Sequence, residues 1–127
     1  MWSNCLFVAL GGGLGAVGRY LLSLIAAPWS FPVMTLLTNF LGAVVIGAVA
    51  QAAGQLPMSK SAVLFLKTGL CGGFPTFSTF SLETVELLEQ GRWAAGGGYI
   101  LASVGLCLAG VLLGVLVSVA LPPKRED

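Results

Sequence analysis

Long apolar runs alternate with short connectors rich in proline, glycine and polar residues along this chain. A bilayer core of ~30 Å is crossed by about 20 apolar residues in a helix. Four stretches meet that length. The first runs from about Cys5 to Ala26 and ends before Pro28; the second, from about Val33 to Ala53, is entered after Pro32. The third runs from about Ser61 to Glu83, and the fourth from about Gly96 to Leu121, stopped by Pro122 and Pro123. The pattern predicts an all-α integral membrane protein: a single four-helix transmembrane domain over residues 1–127. The connectors carry turn chemistry: Pro28 to Pro32, then Gly54 to Pro57, then a polar stretch reaching Gly91-Arg92-Trp93. Trp2, Trp29 and Trp93 fall near segment ends, where an indole prefers the membrane–water interface.

Composition sharpens this picture. Hydrophobic residues make up 57% of the chain and charged residues only 9%, against roughly 25% charged in a soluble domain. Such a chain cannot cover its surface with water-compatible side chains, so lipid is its solvent. The net charge of +1 offers no electrostatic case for nucleic acid or an acidic partner. Histidine is absent, which removes the commonest general base and metal ligand. With no nucleophile–base pair in view, the chain is not read as an enzyme. Cys5, Cys71 and Cys107 have no CxxC spacing and read as small buried hydrophobes. The start lacks a basic leader region, and Arg19 lies deep in the first apolar stretch, so the chain is read as mature from Met1.

Four spans place both termini and the middle connector on one side. That side holds Lys60, Lys124 and Arg125, with Lys67 close by, against Arg92 and Arg19 on the other. The bias favours cytoplasmic termini, but it is small enough to permit insertion in both orientations.

Residues 13–18 match the GxGxxG dinucleotide fingerprint, yet no strand precedes them and no acidic residue follows in the first two spans to hold a ribose. The glycines read instead as helix-packing positions. Gly11 and Gly15, and Gly110 and Gly114, form GxxxG pairs that let backbones approach closely in lipid. This much glycine suggests tight packing against another subunit.

The third span carries the chemistry. Gly72, Gly73 and Pro75 fall within four residues in its middle and should interrupt the helix. Backbone groups freed at membrane depth persist only where protein, an ion or a cavity satisfies them, so a broken helix points to an ion site. Phe77, Phe80 and Glu83 then recur along one helix face. Ser78, Thr79, Ser81 and Thr84 surround that face with hydroxyls, which suggests a wet lining. Other spans supply polar partners: Thr35 and Asn39 in the second; Tyr99, Ser103 and Cys107 at i, i+4, i+8 in the fourth; and Arg19 in the first. A charge inside a span marks a pathway or a partner unless it snorkels to the interface. Donors outnumber carboxylates, since Glu83 is the first acidic residue in the chain. A donor-rich interior favours an anion over a cation. Aromatic edges carry partial positive charge, so Phe77 and Phe80 offer ring edges to an anion while keeping a passage narrow. From the residues alone the reading is a small-anion pathway.

Three blocks carry a resemblance: GGGLGAVGRY at residues 11–20, TNFLG at 38–42 and GLCGGFPTFSTFSLE at 69–83. In order and spacing they resemble the signature blocks of the Fluc-type (CrcB) fluoride channels, and with the fourth span the likeness covers nearly the whole chain. The resemblance implies an antiparallel, dual-topology dimer with two fluoride pathways along the subunit interface, exporting fluoride passively from the cytoplasm across the bacterial inner membrane. It implies that Phe77 and Phe80 line the pathway and that Asn39 donates an amide hydrogen to fluoride. Ser81, Thr84 and Glu83 would belong to or border a polar track, with Tyr99 and Ser103 contributing from the fourth helix and Arg19 at the vestibule. It implies a structural sodium ion on the dyad, held by backbone carbonyls of Gly72 and Pro75. The partner would be a second copy or a homologous chain, in lipid. Three positions depart from the family pattern: Pro75 where threonine or serine is usual, Cys107 where serine is common, and Lys67 where threonine or a small residue is frequent.

Two other classes compete. A small proton-coupled multidrug-type transporter also has four short helices, but it needs a membrane-embedded carboxylate, and none precedes Glu83. A non-transporting assembly subunit would use the glycine-rich faces but does not account for a broken helix followed by Phe-Ser-Thr-Phe-Ser.

Overall fold

The computed structural model describes residues 1–25 and 30–121. The described chain is helical throughout, with α1 (Trp2–Ser23), α2 (Val33–Gln55), α3 (Lys60–Val63), a π-helical stretch (Leu64–Leu70), α4 (Cys71–Gly73), α5 (Phe77–Glu89) and α6 (Trp93–Val119). Three of these, α1, α2 and α6, are long and apolar enough to cross a membrane. They correspond to the predicted first, second and fourth spans; α2 starts at the predicted Val33, and the other ends are moved by two or three residues. Pro28, Trp29, Pro122, Pro123, Lys124 and Arg125 lie outside the described residues. Trp2 and Trp93 open α1 and α6 and are largely exposed, as interfacial indoles would be.

The predicted third span is built differently. No single long helix covers residues 61–83. Ser59 caps α3, its hydroxyl accepting from the Ala62 N–H at 3.1 Å. The helix then widens into the π stretch and ends at Gly73. A new helix starts at Phe77, capped by Thr76, whose Oγ1 accepts from the Thr79 N–H at 3.3 Å. This second segment runs on to Glu89, six residues beyond the predicted end. It stops in a Schellman turn: Arg92 N–H donates to Leu87 C=O and Gly91 N–H to Leu88 C=O, both at 3.0 Å. Gly91 sits there at φ 74°, a left-handed conformation that suits glycine.

Between the two segments the chain changes partners. The π stretch and α4 pack on α1, whereas α5 packs chiefly on α6 and touches α2. The largest pairing among the described elements is α2 with α6. Glycine makes both main pairings possible. A methyl added at Gly15 would stand 2.6 Å from the Leu70 carbonyl oxygen and 2.8 Å from the Phe74 nitrogen. One at Gly69 would meet the backbone of Val8 and Gly11, and one at Gly114 the backbone of Val44 and Ala48. The GxxxG pairs therefore join helices of one chain, Gly11 and Gly15 to residues 65–74 and Gly110 and Gly114 to α2. This corrects the expectation that they face another subunit. The reason is that the third and second helices reach these stripes first, within the same chain.

Among the described residues few large side chains are buried, and Tyr99 alone is fully so. Leu6, Leu10, Leu14 and Leu21 of α1 and Leu101, Leu108, Leu112 and Leu116 of α6 are all exposed by more than half. In water such faces would aggregate; in lipid, or against a second subunit, they are ordinary. Cys5 is exposed too, which corrects its reading as a buried residue.

Candidate functional site

The break at residues 74–76 is created by two losses and stabilised by one side chain. In a continuous helix the Cys71 carbonyl would accept from residue 75, but Pro75 has no N–H. The Gly72 carbonyl would accept from the Thr76 N–H. That N–H instead donates to Asn39 Oδ1 at 2.9 Å, and Asn39 Nδ2 donates back to the Thr76 carbonyl at 3.4 Å. One carboxamide from α2 thus holds both backbone groups of Thr76. Pro75 is seated on the same helix, its ring lying where a Cβ on Gly42 would be 2.9 Å from Cγ.

Beyond the break, α5 presents Phe77, Phe80 and Glu83 on one side, as their spacing predicts. The rings of Phe77 and Phe80 lie 5.5 Å apart, and Phe80 lies 5.0 Å from Tyr99. Phe31, ahead of α2, meets Tyr99 edge-on at 5.3 Å. Phe77 at the outer end of this aromatic row is 78% exposed, so one of its faces is free for lipid, an ion path or a second subunit. Glu83 closes the inner end. Thr35 Oγ1 donates to its Oε1 at 2.6 Å and the Tyr99 hydroxyl to its Oε2 at 2.9 Å. Three helices, α2, α5 and α6, therefore meet at one carboxylate.

Arg19 and Glu83 line a common cavity of about 270 Å³ with Thr35, Thr38, Thr76 and Thr79. The Arg19 Nε is buried there without a hydrogen-bond partner. Charge of both signs thus reaches one cavity, and the guanidinium has donor capacity to spare for an anion. A second cavity of about 340 Å³ lies on the far side of the Asn39–Thr76 clasp, next to Phe77.

The hydroxyls behave differently from the wet lining the sequence suggests. Ser81 donates to the Phe77 carbonyl at 2.9 Å and Thr84 to the Phe80 carbonyl at 2.7 Å. Thr38 does the same to Met34 at 2.7 Å. These protons return to their own helix four residues back, a common habit of serine and threonine in apolar helices. Ser78 and Thr79 bond the capping Thr76 hydroxyl. Ser103, one turn beyond Tyr99, and Ser118, near the end of α6, differ: their hydroxyls are buried without a partner.

The structure therefore assembles Phe77, Phe80, Tyr99 and Glu83 into one cluster and puts Arg19 in a cavity against it. Asn39 sits at the break, and Gly72 lies on an exposed face with nothing near it. The sequence reading named Thr35 beside Asn39 as a polar partner but left Thr76 and Phe31 out of the site. Thr35 had a signal, its position one turn before Asn39; Thr76 and Phe31 had none. A carbonyl-held cation is compatible with the break, because the Gly72 carbonyl lacks its usual donor. Backbone oxygens are the ligand type that hard cations take. Among the described residues there is no cluster of three or more His, Cys, Asp or Glu that would hold a metal.

Fold and site together define a multi-pass helical membrane protein with cavities and an aromatic row gathered at a helix break. Known relatives make the class more specific. The family model for the CrcB-like protein, Camphor Resistance (CrcB), matches residues 6–115. A protein of Roseiflexus sp. (strain RS-1) named fluoride-specific ion channel FluC is 46% identical over 123 residues, covering 94% of this chain and 99% of the relative. Proteins of the same name from Opitutus terrae and Phocaeicola vulgatus are 43% and 40% identical, each over 91% of this chain. The chain belongs to the CrcB family, whose relatives named here are ion channels and not enzymes.

Proposed function

We propose that this chain is a fluoride-selective channel that lets fluoride leave the cytoplasm of a bacterium passively through the inner membrane. The observation that carries the proposal is the near full-length identity to relatives named for fluoride. The chemistry at the break supports it. Asn39 has a second amide hydrogen beyond the one directed at Thr76. The Phe77 and Phe80 edges carry partial positive charge beside it, and Ser103 holds an unsatisfied hydroxyl further along α6. Arg19 supplies the attraction at the vestibule, and Glu83 orients Tyr99 and Thr35. Ser81 and Thr84 border the track and need only rotate a hydroxyl away from the helix to meet fluoride. A negative-inside potential drives the anion out, with ~2.3 kcal/mol per charge for each 100 mV. No step requires proton exchange, which disfavours the multidrug-type alternative.

In this reading residues 1–127 form one four-span domain. The third crossing is the composite of α3, the π stretch, α4 and α5, broken mid-membrane. Two such subunits pair antiparallel, from one gene in both orientations or from two homologous chains. A sodium ion on their dyad takes the carbonyls of Gly72 and Pro75 from each subunit. It would be structural, neutralising carbonyl dipoles that point together.

Efflux from liposomes holding the purified protein alone tests the reading. Release of fluoride without chloride, followed with an ion-selective electrode, is the expected result. Replacing Phe80 with Ile should suppress that flux while leaving the assembly intact. Full flux in Phe80→Ile would remove the ring-edge role, and no flux from folded wild-type protein would leave the proposal without its central support.

A further inference from the structure

Cys71 and Cys107 are used by nothing described so far. They come from different elements, α4 and α6, and both line the 340 Å³ cavity beside Asn39, Thr76 and Phe77. Cys71 is buried, Cys107 partly so, and both are free thiols. The rest of the cavity wall is aliphatic, from Ile46 and Val111 among others. Two thiols in an apolar cavity, with no competing carboxylate or imidazole among its lining residues, are a ligand set with narrow chemistry. Hard cations such as Mg²⁺ or Ca²⁺ need several oxygens, and tetrahedral zinc needs four ligands. A soft, two-coordinate d¹⁰ cation needs only two thiolates, and soft ligands select it.

We propose that Cys71 and Cys107 together form a soft-metal site in the wall of the passage, taking a mercuric, silver or cuprous ion as a linear bis-thiolate. The reaction with mercury balances as two thiols plus Hg²⁺ giving one S–Hg–S bridge and two released protons. The bridge ties α4, at the end of the first half of the broken helix, to α6. It also places a cation in the cavity next to the Asn39 amide, where it captures the passing anion. Occupancy therefore stops ion movement past that amide. Metal binding stands on the two thiols alone, and the consequence for flux rests on the channel reading above.

The experiment uses full-length protein in which the exposed Cys5 is replaced, Cys5→Ala, with mercuric ion as the probe. Binding is measured first, by the ultraviolet charge-transfer band of mercury thiolates and by the metal retained against glutathione. One mercury per chain with loss of both free thiols is expected. Cys71→Ser or Cys107→Ser should each weaken retention by on the order of 100-fold, the effective-concentration advantage of a two-point ligand. Both are close in size to cysteine, and size-exclusion behaviour and wild-type fluoride flux identify any variant that misfolds. Two mercury ions per chain, or retention unchanged in either serine variant, would overturn the shared site. Fluoride efflux is measured second. With glutathione present, one equivalent of mercury should block it in Cys5→Ala, dithiothreitol should restore it, and Cys107→Ser in the same background should keep conducting. Stoichiometric binding with undiminished efflux would retain the metal site and overturn its place in the passage. Absence of efflux before any metal is added would count against the channel reading instead.

Discussion

Asn39 does two jobs that substitution can separate. Its carbonyl oxygen receives the Thr76 N–H, and its amide group faces both the Thr76 carbonyl and, in the proposed mechanism, the ion. Asn39→Ala abandons a backbone N–H in an apolar interior, at a cost of about 1–3 kcal/mol. The melting midpoint in detergent should fall accordingly. Asn39→Asp keeps the acceptor, so Thr76 stays held and stability suffers less. It removes the donor and adds negative charge. A hydrogen bond to a charged group contributes ~1.5–3 kcal/mol, so fluoride flux should fall about tenfold or more. Equal flux in Asn39→Asp and wild type would show that the residue serves the break alone. Glu83 is a similar case. It accepts from Thr35 and Tyr99 on separate oxygens, whereas glutamine would turn an N–H₂ toward one of those hydroxyls. Glu83→Gln should therefore destabilise the subunit by about 1 kcal/mol, the scale of one net hydrogen bond, as read from the same melting midpoint.

Among the elements, the glycines divide into those with a backbone opposite and those with open space. A methyl at Gly15 meets the backbone of Leu70, Gly73 and Phe74, while one at Gly13, half a turn away, meets nothing within 4 Å. Gly15→Ala should therefore cost about 1–3 kcal/mol through forced separation of α1 from the third helix. Gly13→Ala should be neutral, or more stable by up to ~1 kcal/mol from helix propensity. Thermal unfolding of the two variants gives opposite signs if the pairing is right. The sequence supplied both glycines but not the distinction, since GxxxG spacing marks a close approach and says nothing of its partner. The break was legible, because Gly72, Gly73 and Pro75 leave a helix no good way through. Its clasp was not, because Asn39 and Thr76 are brought together only by tertiary packing. Nor was the π stretch: Leu64, Phe65 and Leu66 are consecutive apolar residues and fix no period. The hydroxyl run was legible as composition, but the return of its protons to the backbone depends on rotamers that sequence does not specify.

For the molecule as a whole, exposed leucines on α1 and α6 and tryptophans at the starts of α1 and α6 describe a body that lies in lipid. In the proposed four-span arrangement α1 and α6 start at opposite surfaces, which puts one indole at each. The weak charge bias gives neither surface a strong claim on the cytoplasm. Consequently a cysteine placed at exposed Gln90, in a Cys5→Ala background, should label from both sides of sealed vesicles. About half the protein should react with an impermeant maleimide before the vesicles are opened, given so small a bias. Labelling from one side only would indicate a fixed orientation and hence a homologous partner.

The clasp at the break also bears on the order in which the molecule is made. Asn39 precedes Thr76 by 37 residues and Thr35 precedes Glu83 by 48. When the interrupted third helix leaves the ribosome, the side chains that will satisfy it already stand on a completed α2. The Tyr99 hydroxyl, 16 residues after Glu83, arrives last and closes the cluster. A segment that would be unstable alone in lipid is thus synthesised into a waiting template, and the vulnerable interval in biogenesis falls between the emergence of Thr76 and the arrival of Tyr99.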